Sequence, residues 1–284
     1  MNNSSDSKNL KTVAFLGPEG TFTQLAALRH FGSDCELLPC KSIDEVFLKV
    51  EKKEATYGVV PVENSTEGAI NNTQDCLVDS SVTIVGEEVV LIRHNLMANG
   101  NFPLEQISKV ASHKQSLAQC RNWLAENLPD VQQFECISNA QAAKLALQEE
   151  GTAAIAGSLA AESYDLQVLQ ANIQDQQHNS TRFLVLSHGE TKSTGTDKTS
   201  LIVYMEHKPG ALLRALEPFE SLGLNLNKIE TRPSKKKAWA YVFFIDFDGH
   251  IDDNNVQELF EQLADRTVEI KVLGSYPRDV GDDE

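Results

Sequence analysis

Residues Gln177 to Leu186 read Q-H-N-S-T-R-F-L-V-L, a polar run that passes directly into an apolar one. The apolar half, Phe183–Leu186, is typical of a buried strand, because a short continuous apolar run suits a strand covered on both faces. The polar half, His178–Arg182, would then lie at one end of this strand. Its amide, hydroxyls and guanidinium suit an anionic ligand, but they are equally compatible with an ordinary turn and a surface arginine.

Two further strands are predicted upstream. The runs T-V-A-F-L (Thr12–Leu16) and Y-G-V-V-P-V (Tyr57–Val62) each pass into a turn rich in glycine or polar residues, and helices follow. Capping boxes at Ser42 and Ser138 predict two more helix starts. This β-α-β-α order indicates an α/β fold with a largely parallel sheet, in which ligands bind outside the carboxyl ends of the strands.

Four polar stretches lie near predicted strand ends, namely Gly17–Thr23, Glu63–Thr66, Ser112–Gln115 and Asn179–Arg182. Backbone N–H groups at a helix start and side-chain donors at a strand end both favour an anion. No stretch is specific by itself, since each also fits a capped crossover helix. Their convergence predicts a cleft for a small anionic ligand.

Helix caps account for part of these stretches. We expect Ser65 or Thr66 to cap the helix that follows them. We also expect Ser112 and Gln115 to form the capping box of a helix that extends to Leu128.

Composition excludes several classes of protein. The chain of 284 residues has 25 Lys and Arg against 41 Asp and Glu, a net charge of -16, which argues against binding to nucleic acid or to an anionic membrane surface. Its five cysteines include no C-x-x-C pair, so the sequence indicates neither a zinc site nor a redox motif. This cysteine content is typical of a protein in a reducing compartment. With no signal peptide in the first nine residues and no membrane-spanning run, we predict a cytoplasmic protein.

The C-terminal part has a different order of elements. Ser187–Lys198 contains no apolar residue and is interpreted as a linker. From Ser200 to Gly274 the predicted order is β-α-β-β-α-β, a ferredoxin-like unit. Pro218 is expected to bend or weaken the first helix of this unit.

Six motifs in order carry a resemblance to a known family. They are F-L-G-P-E-G-T-F-T (Phe15–Thr23), G-V-V-P-V-E-N-S-T-E-G (Gly58–Gly68), S-H-K-Q-S-L-A-Q-C (Ser112–Cys120), N-S-T-R-F (Asn179–Phe183), P-G-A-L (Pro209–Leu212) and K-I-E-T-R-P (Lys228–Pro233). Between about Thr12 and Tyr276 the chain resembles a monofunctional prephenate dehydratase with a C-terminal ACT regulatory domain.

The resemblance implies an α/β catalytic domain over residues 11–188 with two periplasmic-binding-protein-like lobes, a linker over 189–198 and a ferredoxin-like ACT domain over 199–277. It implies decarboxylative dehydration of prephenate to phenylpyruvate in L-phenylalanine biosynthesis, a carbon–oxygen lyase reaction. No hydride or phosphoryl group moves, so we expect no cofactor and no metal. The cleft would lie between a lobe of roughly Thr12–Ser80 with Thr181–Leu186 and a lobe of roughly Val85–Gln174.

The resemblance also implies roles for individual residues. Thr181 would donate a hydrogen bond to the departing hydroxyl, with Glu63 as charge partner and Arg182 as a carboxylate clamp beside Phe183. The implied substrate-binding residues are Thr21, Asn64, Ser65, Thr66, Ser112, His113, Gln115, Gln119 and Asn179. The simpler interpretations are an internal ion pair for Arg182 and a structural or exposed histidine for His113.

The ACT domain resembles phenylalanine sensors, which implies L-phenylalanine as effector. The implied effector residues are Gly210, Ala211, Leu212, Asn225, Leu226, Glu230, Thr231, Arg232 and Pro233. Because such sites form between paired ACT units, the resemblance implies a homodimer or homotetramer, assembled through both domains. A tight β-α turn without a ligand is the simpler interpretation of Pro209–Leu212.

The sequence departs from the family pattern twice. It has H-K-Q at His113–Gln115 where the family has H-P-Q, a difference that concerns the shape of a loop. It also has Thr231 where the family has serine, and the threonine keeps the hydroxyl and adds a methyl group. Three alternatives remain open: an arogenate dehydratase, a non-catalytic amino-acid sensor and an added chorismate mutase activity. The last is disfavoured because no helical domain precedes Thr12.

Overall fold

The computed structural model describes residues 10–233 and 241–279. By internal contacts the chain forms two compact units, Met1–Thr73 with Glu88–Phe183, and Gln74–Glu87 with Leu184–Glu284. The first nine residues lie outside the described residues, and so does Ala238, where the sequence predicts the start of a strand.

The first part of the chain alternates strands and helices as predicted. The elements up to the second sheet are β1 (Lys11–Leu16), α1 (Phe22–Phe31), β2 (Cys35–Cys40), α2 (Ile43–Glu51), β3 (Tyr57–Asn64), β4 (Gly68–Ala69), α3 (Asn71–Asp79) and β5 (Thr83–Leu91).

Together with β11 (Ser180–Ser187), the strands of this part form one sheet. Its order is β2-β1-β3-β11-β5, with β4 paired to β3. The β1–β2 and β1–β3 pairs are parallel. The apolar run Phe183–Leu186 therefore belongs to an inner strand, and its residues are all buried, as predicted.

A second sheet follows in the order β10-β6-β9-β7-β8. Its elements and the helices between them are β6 (Asn95–Ala98), β7 (Lys109–His113), α4 (Lys114–Gln119), α5 (Arg121–Asn127), β8 (Gln132–Cys136), α6 (Asn139–Gln148), β9 (Thr152–Ala156), α7 (Ser158–Tyr164) and β10 (Gln167–Gln170). The β7 pairs are parallel, whereas β6 pairs antiparallel with β9 and β10. This sheet is mixed, although the sequence indicated a largely parallel one.

Both faces of the second sheet are covered by helices. Successive residues of β7 enter opposite apolar clusters: Val110 packs with Leu124 of α5, and Ala111 packs with Ala143 of α6. This alternation follows from the two-residue period of a strand. The two-lobed α/β architecture of the catalytic part is confirmed.

Side-chain caps start three helices, and two of these caps, Ser42 and Ser138, were predicted from the sequence. The hydroxyl oxygens of Thr21, Ser42 and Ser138 accept backbone N–H groups in the first turns of α1, α2 and α6. These caps satisfy donors that a helix start leaves without an intrahelical partner.

Two predicted caps are wrong. Ser65 and Thr66 do not cap a helix, because the chain turns back after β3 to form β4, and α3 begins only at Asn71. Ser112 lies inside β7, fully buried, and its hydroxyl donates to the carbonyl of Ile155 at 2.6 Å. The N-cap of α4 is His113, and the predicted single helix is broken at Cys120 into α4 and α5.

The C-terminal sheet has the predicted βαββαβ order. It consists of β12 (Asp197–Tyr204), α8 (Ala211–Ser221), β13 (Leu226–Pro233), β14 (Tyr241–Asp248), α9 (Asn254–Ala264) and β15 (Glu269–Pro277). The strand order is β13-β14-β12-β15, with antiparallel neighbours. Helix α8 continues through Pro218, which lies in its last turn.

The first residues of β12 come from the stretch that the sequence assigned to the linker. Burial would raise the pKa of Asp197, but hydrogen bonds from Thr194, Gly195 and Ser193 together hold that pKa below its ordinary value. The carboxylate thereby organises the connection before β12. Among the described residues, no helix is long and apolar enough to cross a membrane.

Candidate active site

A cavity of about 800 Å³ opens in the first unit. Its wall comes from the β1–α1 turn, the end of β3, the β5–β6 connection, the starts of α4 and α6, and the start of β11. Of the residues predicted for the site, it brings together Thr21, Asn64, His113, Gln115, Gln119, Asn179, Thr181 and Phe183.

Asn64 is the hub of the polar network in this cavity. Its Oδ1 accepts the backbone N–H groups of Thr66 and Glu67 at 3.0 and 3.1 Å, which fixes the orientation of the amide. Its Nδ2 therefore points to acceptors, namely Asn179 Oδ1 at 2.8 Å, Thr181 Oγ1 at 2.9 Å and the carbonyl of Ser180 at 3.1 Å.

This arrangement decides the role of the Thr181 hydroxyl. An amide nitrogen only donates, so Thr181 Oγ1 accepts the hydrogen bond from Asn64 with a lone pair. Its own hydrogen donates to none of the residues in the described ranges and is available to a ligand. Thr181 is 8% exposed, so this donor lies in surroundings that largely exclude water.

The network continues from Asn179 to the β5–β6 connection. Asn179 is buried, and its Nδ2 donates to Gln119 Oε1 at 3.1 Å. The same oxygen lies 2.8 Å from Nε2 of His94, which is 1% exposed. Burial lowers the pKa of His94, although the Gln119 hydrogen bond acts in the opposite direction. Burial thus favours the neutral imidazole.

Ser65 and Thr66 support this network from outside the cavity wall. Ser65 accepts the backbone N–H of Ser180 at 2.9 Å, and its hydroxyl is 3.4 Å from Asn179 Oδ1. The Thr66 hydroxyl is 3.3 Å from the same oxygen. Both residues position Asn179, and neither lines the cavity.

Asn139, at the start of α6, holds the opposite wall together. Its Oδ1 accepts from the His113 backbone N–H at 3.1 Å and the Ser116 hydroxyl at 2.9 Å, and it lies 3.0 Å from the Ser112 hydroxyl, whose hydrogen goes to the Ile155 carbonyl. With the oxygen saturated in this way, Nδ2 is left without a bond to any residue in the described ranges. Asn139 lines the cavity, so this amide N–H₂ is a donor for a ligand.

Glu63 and Arg182 are not brought into the cavity. Each is followed along its strand by a residue that lines it, Asn64 after Glu63 and Phe183 after Arg182, and side chains of successive strand residues point to opposite faces. The same period places Thr181 and Phe183 together on the cavity face of β11. Ser112 also lies outside the wall, buried in its strand.

Two family models match this chain. A sequence model described as prephenate dehydratase matches residues 13–191, and an ACT domain model matches residues 199–265. The chain belongs to the prephenate dehydratase family. The matched dehydratase region contains the polar network around Thr181.

Relatives of this dehydratase carry related names. A bifunctional chorismate mutase/prephenate dehydratase of Aquifex aeolicus is 49% identical over 266 residues, 94% of this chain and 73% of the relative. A prephenate dehydratase of Methanocaldococcus jannaschii is 36% identical, covering 94% of this chain and 98% of the relative. Arogenate dehydratase 2 of Petunia hybrida is 35% identical, covering 98% and 76%.

A solved structure extends the similarity to three dimensions. The prephenate dehydratase of Arthrobacter aurescens in complex with L-Phe superimposes with a TM-score of 0.86 at 35% identity, covering 94% of this chain and 90% of that one.

In this dehydratase the side chains of the E-T-R-P motif divide between two faces of β13. Glu230 and Arg232 are partly buried, whereas Ile229, Thr231 and Pro233 alternate with them and are exposed. The remaining predicted effector residues lie around the start of α8 and the start of β13, where Asn225 donates to Asp248 at 3.1 Å. The motif residues therefore do not all face one ligand.

The cavity-wall residues that sequence reasoning missed include Lys41, His94 and Asn139. Their signals were weak. His94 is one histidine after an apolar strand, Asn139 was assigned to a capping box, and Lys41 follows β2, a strand that the sequence did not predict.

Proposed function

We propose that this prephenate dehydratase uses the cavity of the first unit to convert prephenate into phenylpyruvate, carbon dioxide and water, with the Thr181 hydroxyl as the donor to the departing oxygen. The observation that carries the proposal is the hydrogen bond from Asn64 to Thr181, because it occupies a lone pair of the threonine and leaves its hydrogen for the substrate.

The reaction breaks one carbon–carbon bond and one carbon–oxygen bond of prephenate. The bond between the ring and its carboxylate breaks, the electron pair moves through the ring as it becomes aromatic, and the C4–oxygen bond breaks. The departing hydroxyl takes up one proton from solution to become water. A threonine is a weak acid, so Thr181 acts as a hydrogen-bond donor that stabilises the developing negative charge rather than as the proton reservoir.

The two carboxylates of prephenate require donors elsewhere in the cavity. Asn139, the start of α1 and Lys41 line it. A helix start favours an anion through its dipole and its open N–H groups. These groups are better placed for that task than Arg182, whose predicted role as clamp receives no support from the cavity wall.

Effector binding forms the second part of the proposal. We assign L-phenylalanine as the effector of the C-terminal unit, supported by the ACT match and by the L-Phe complex of the Arthrobacter aurescens structure. We also assign a homodimer or homotetramer paired through this unit. Leu213 and Ile229 are 65% and 43% exposed, and pairing would remove such apolar surface from water.

Two further assignments complete the proposal. The boundaries we propose are residues 11–188 for the catalytic domain, 189–198 for the linker and 199–277 for the ACT domain. The five cysteines are all free, which supports a cytoplasmic location.

Substrate turnover tests the proposal. Purified protein should release phenylpyruvate from prephenate at neutral pH, and L-phenylalanine should change the rate. Arogenate, which carries an amino group where prephenate has a keto group, is the matched second substrate. Turnover of arogenate alone would replace the substrate assignment, and turnover of neither would favour a binding protein. A rate indifferent to L-phenylalanine would contradict only the effector assignment.

A further inference from the structure

His94 occupies a fixed place beside the catalytic network. Its backbone N–H donates to Gln174 Oε1 at 2.9 Å, and its carbonyl accepts from the Ile173 N–H at 2.8 Å. The imidazole packs edge-on against Phe22 with ring centroids 5.8 Å apart. The ring is thus held by its backbone on one side and by an aromatic residue of the cavity wall on the other.

The polarity of the network selects one tautomer of this imidazole. Backbone N–H groups orient Asn64, Asn64 orients Asn179, and Asn179 presents its Nδ2 to Gln119 Oε1. Gln119 Oε1 is an acceptor, so His94 Nε2 carries a hydrogen. Nδ1 then has the lone pair, and this buried atom has no hydrogen-bond partner in the described part of the chain.

The hydrogen bond from His94 fixes the orientation of the Gln119 amide. Its oxygen is occupied by two donors, His94 and Asn179, so its Nε2 hydrogens face away from them. Within the described ranges, no residue accepts from that nitrogen, and Gln119 lines the cavity. Its amide N–H₂ is therefore presented to the ligand.

We propose that His94 is a positioning residue, which as a neutral imidazole holds Gln119 through Nε2–H so that the glutamine amide donates to the bound substrate. This inference rests on the proposed function of the cavity. A side chain displaced by about 1 Å can lower turnover on the order of a hundred-fold, so a residue that never touches substrate can matter for rate.

Two isosteric variants test this role. Glutamine places an amide nitrogen near the position of Nε2, whereas asparagine places one near Nδ1. We expect His94→Gln to keep kcat/KM for prephenate within about five-fold, and His94→Asn to lose about ten- to a hundred-fold. Equal losses in the two variants, with both folded by circular dichroism, would overturn the proposal.

A double-mutant cycle separates positioning from general packing. If His94 acts through Gln119, His94→Asn should cause no further loss of kcat/KM in a Gln119→Ala background. Additive losses would contradict the proposal. If the asparagine variant does not fold, nitrogen-15 NMR of the wild type can identify which ring nitrogen of His94 carries the hydrogen. A protonated Nδ1 at neutral pH would refute the assigned tautomer.

A separate set of contacts in the second unit ties the effector motif to helix α3. Gln74 Nε2 donates to Glu230 Oε2 at 2.7 Å, and Arg232 Nη2 pairs with Asp75 Oδ1 at 2.8 Å. Lys271 Nζ also donates to the carbonyl groups of Leu77, Val78 and Ser80 at the end of this helix, at 2.6 to 2.9 Å. A cation there is favourable because it meets the negative end of the helix dipole.

These contacts join the effector motif on β13 to a helix that begins next to the active-site cavity. Glu230 and Arg232 face α3, while Thr231 between them faces the opposite side of β13. Gln74 is 1% exposed, so its bond to the Glu230 carboxylate is shielded from water and from salt. Helix α3 follows directly on Gly68–Ile70, which line the active-site cavity.

We propose that α3 couples effector binding to catalysis, with Glu230 and Arg232 transmitting the state of β13 to the helix and the helix to the cavity wall at Gly68–Ile70. This second inference rests on the assignment of L-phenylalanine as effector. It predicts that α3 variants change the response to L-phenylalanine without changing its binding site.

Asp75→Asn removes the charge that pairs with Arg232. We expect turnover without effector and the Kd for L-phenylalanine by calorimetry to stay near wild type, while most of the effector-induced change in rate disappears; allosteric coupling commonly amounts to about 5- to 150-fold. Asp79→Asn is the matched control, because Asp79 is an exposed residue of the same helix.

The outcomes separate the inference from the effector assignment. Calorimetric binding of L-phenylalanine together with an undiminished response in Asp75→Asn would overturn only the coupling through α3. Absence of binding to the wild type would overturn the effector assignment and the coupling with it. If Asp79→Asn loses the response to L-phenylalanine to the same extent, the loss follows from removing any negative charge of α3 and not from the Asp75–Arg232 pair. That result would also overturn the coupling.

Discussion

The Thr181→Val variant is expected to lose about two to four orders of magnitude in kcat, while KM for prephenate stays within a few-fold. Valine has the shape of threonine but has no hydroxyl. The lost hydrogen bond forms with an oxygen whose negative charge develops only as the C4–oxygen bond breaks. Its loss therefore raises the barrier and leaves ground-state binding nearly unchanged.

The surrounding network explains why this variant should fold. The two hydrogens of Asn64 Nδ2 keep two acceptors without the threonine, Asn179 Oδ1 and the carbonyl of Ser180. No buried donor is left unsatisfied, so the penalty that usually follows the removal of a hydrogen-bond partner is avoided.

Thr181→Ser is the matched control, because it restores the hydroxyl and removes only a methyl group. We expect it to retain kcat within about ten-fold of wild type, since the donor is present but less well held. The measurement is the rate of phenylpyruvate formation at saturating prephenate, with thermal unfolding recorded for each variant. Near-normal kcat in Thr181→Val would remove Thr181 from its proposed role.

The second large effect is expected for Asn64→Asp, which changes one NH₂ group to an oxygen. The new carboxylate would face Asn179 Oδ1, Thr181 Oγ1 and the carbonyl of Ser180, all of which now accept from Asn64. The Thr181 hydroxyl would turn its hydrogen toward this carboxylate and away from the substrate. We expect kcat to fall on the order of 10²- to 10³-fold.

The negative charge introduced by Asn64→Asp should also weaken substrate binding. A carboxylate in the cavity repels the two carboxylates of prephenate, so KM should rise as well, in contrast to Thr181→Val. A partly buried carboxylate facing acceptors also lowers stability, which a lower urea midpoint would reveal. Asn101→Asp, the same substitution at an exposed loop position, should change neither quantity. Unchanged kcat and KM in Asn64→Asp would contradict the network as drawn.

The hydrophobic pattern and the turn residues were sufficient to predict much of the fold. The apolar runs that precede or follow polar stretches became β1, β3 and β11, because a buried strand needs apolar residues whatever its neighbours are. The caps at Ser42 and Ser138 were equally predictable, since each satisfies N–H groups within its own first turn.

The failures have a common physical cause. Ser112 and Ser65 fit the local pattern of a cap, but strand pairing of β7 with β8 and β9 and of β3 with β4 placed them outside any helix. Strand pairing depends on residues distant in sequence, so a local motif could not reveal it. The short strand β2, with little continuous apolar sequence, was missed for the same reason.

What the sequence determined by itself is the class of fold, the order of most of its elements, the family motifs, and the presence of Asn64 in one polar stretch and of Asn179 and Thr181 in another, each near a strand end. Tertiary structure alone decided which side chains meet. The alternation of strand faces turned Glu63 and Arg182 away from the cavity, and distant segments brought His94, Gln119 and Asn139 to it. Proximity and hydrogen-bond polarity belong to the packed chain, because they depend on how segments far apart in sequence come to lie against one another.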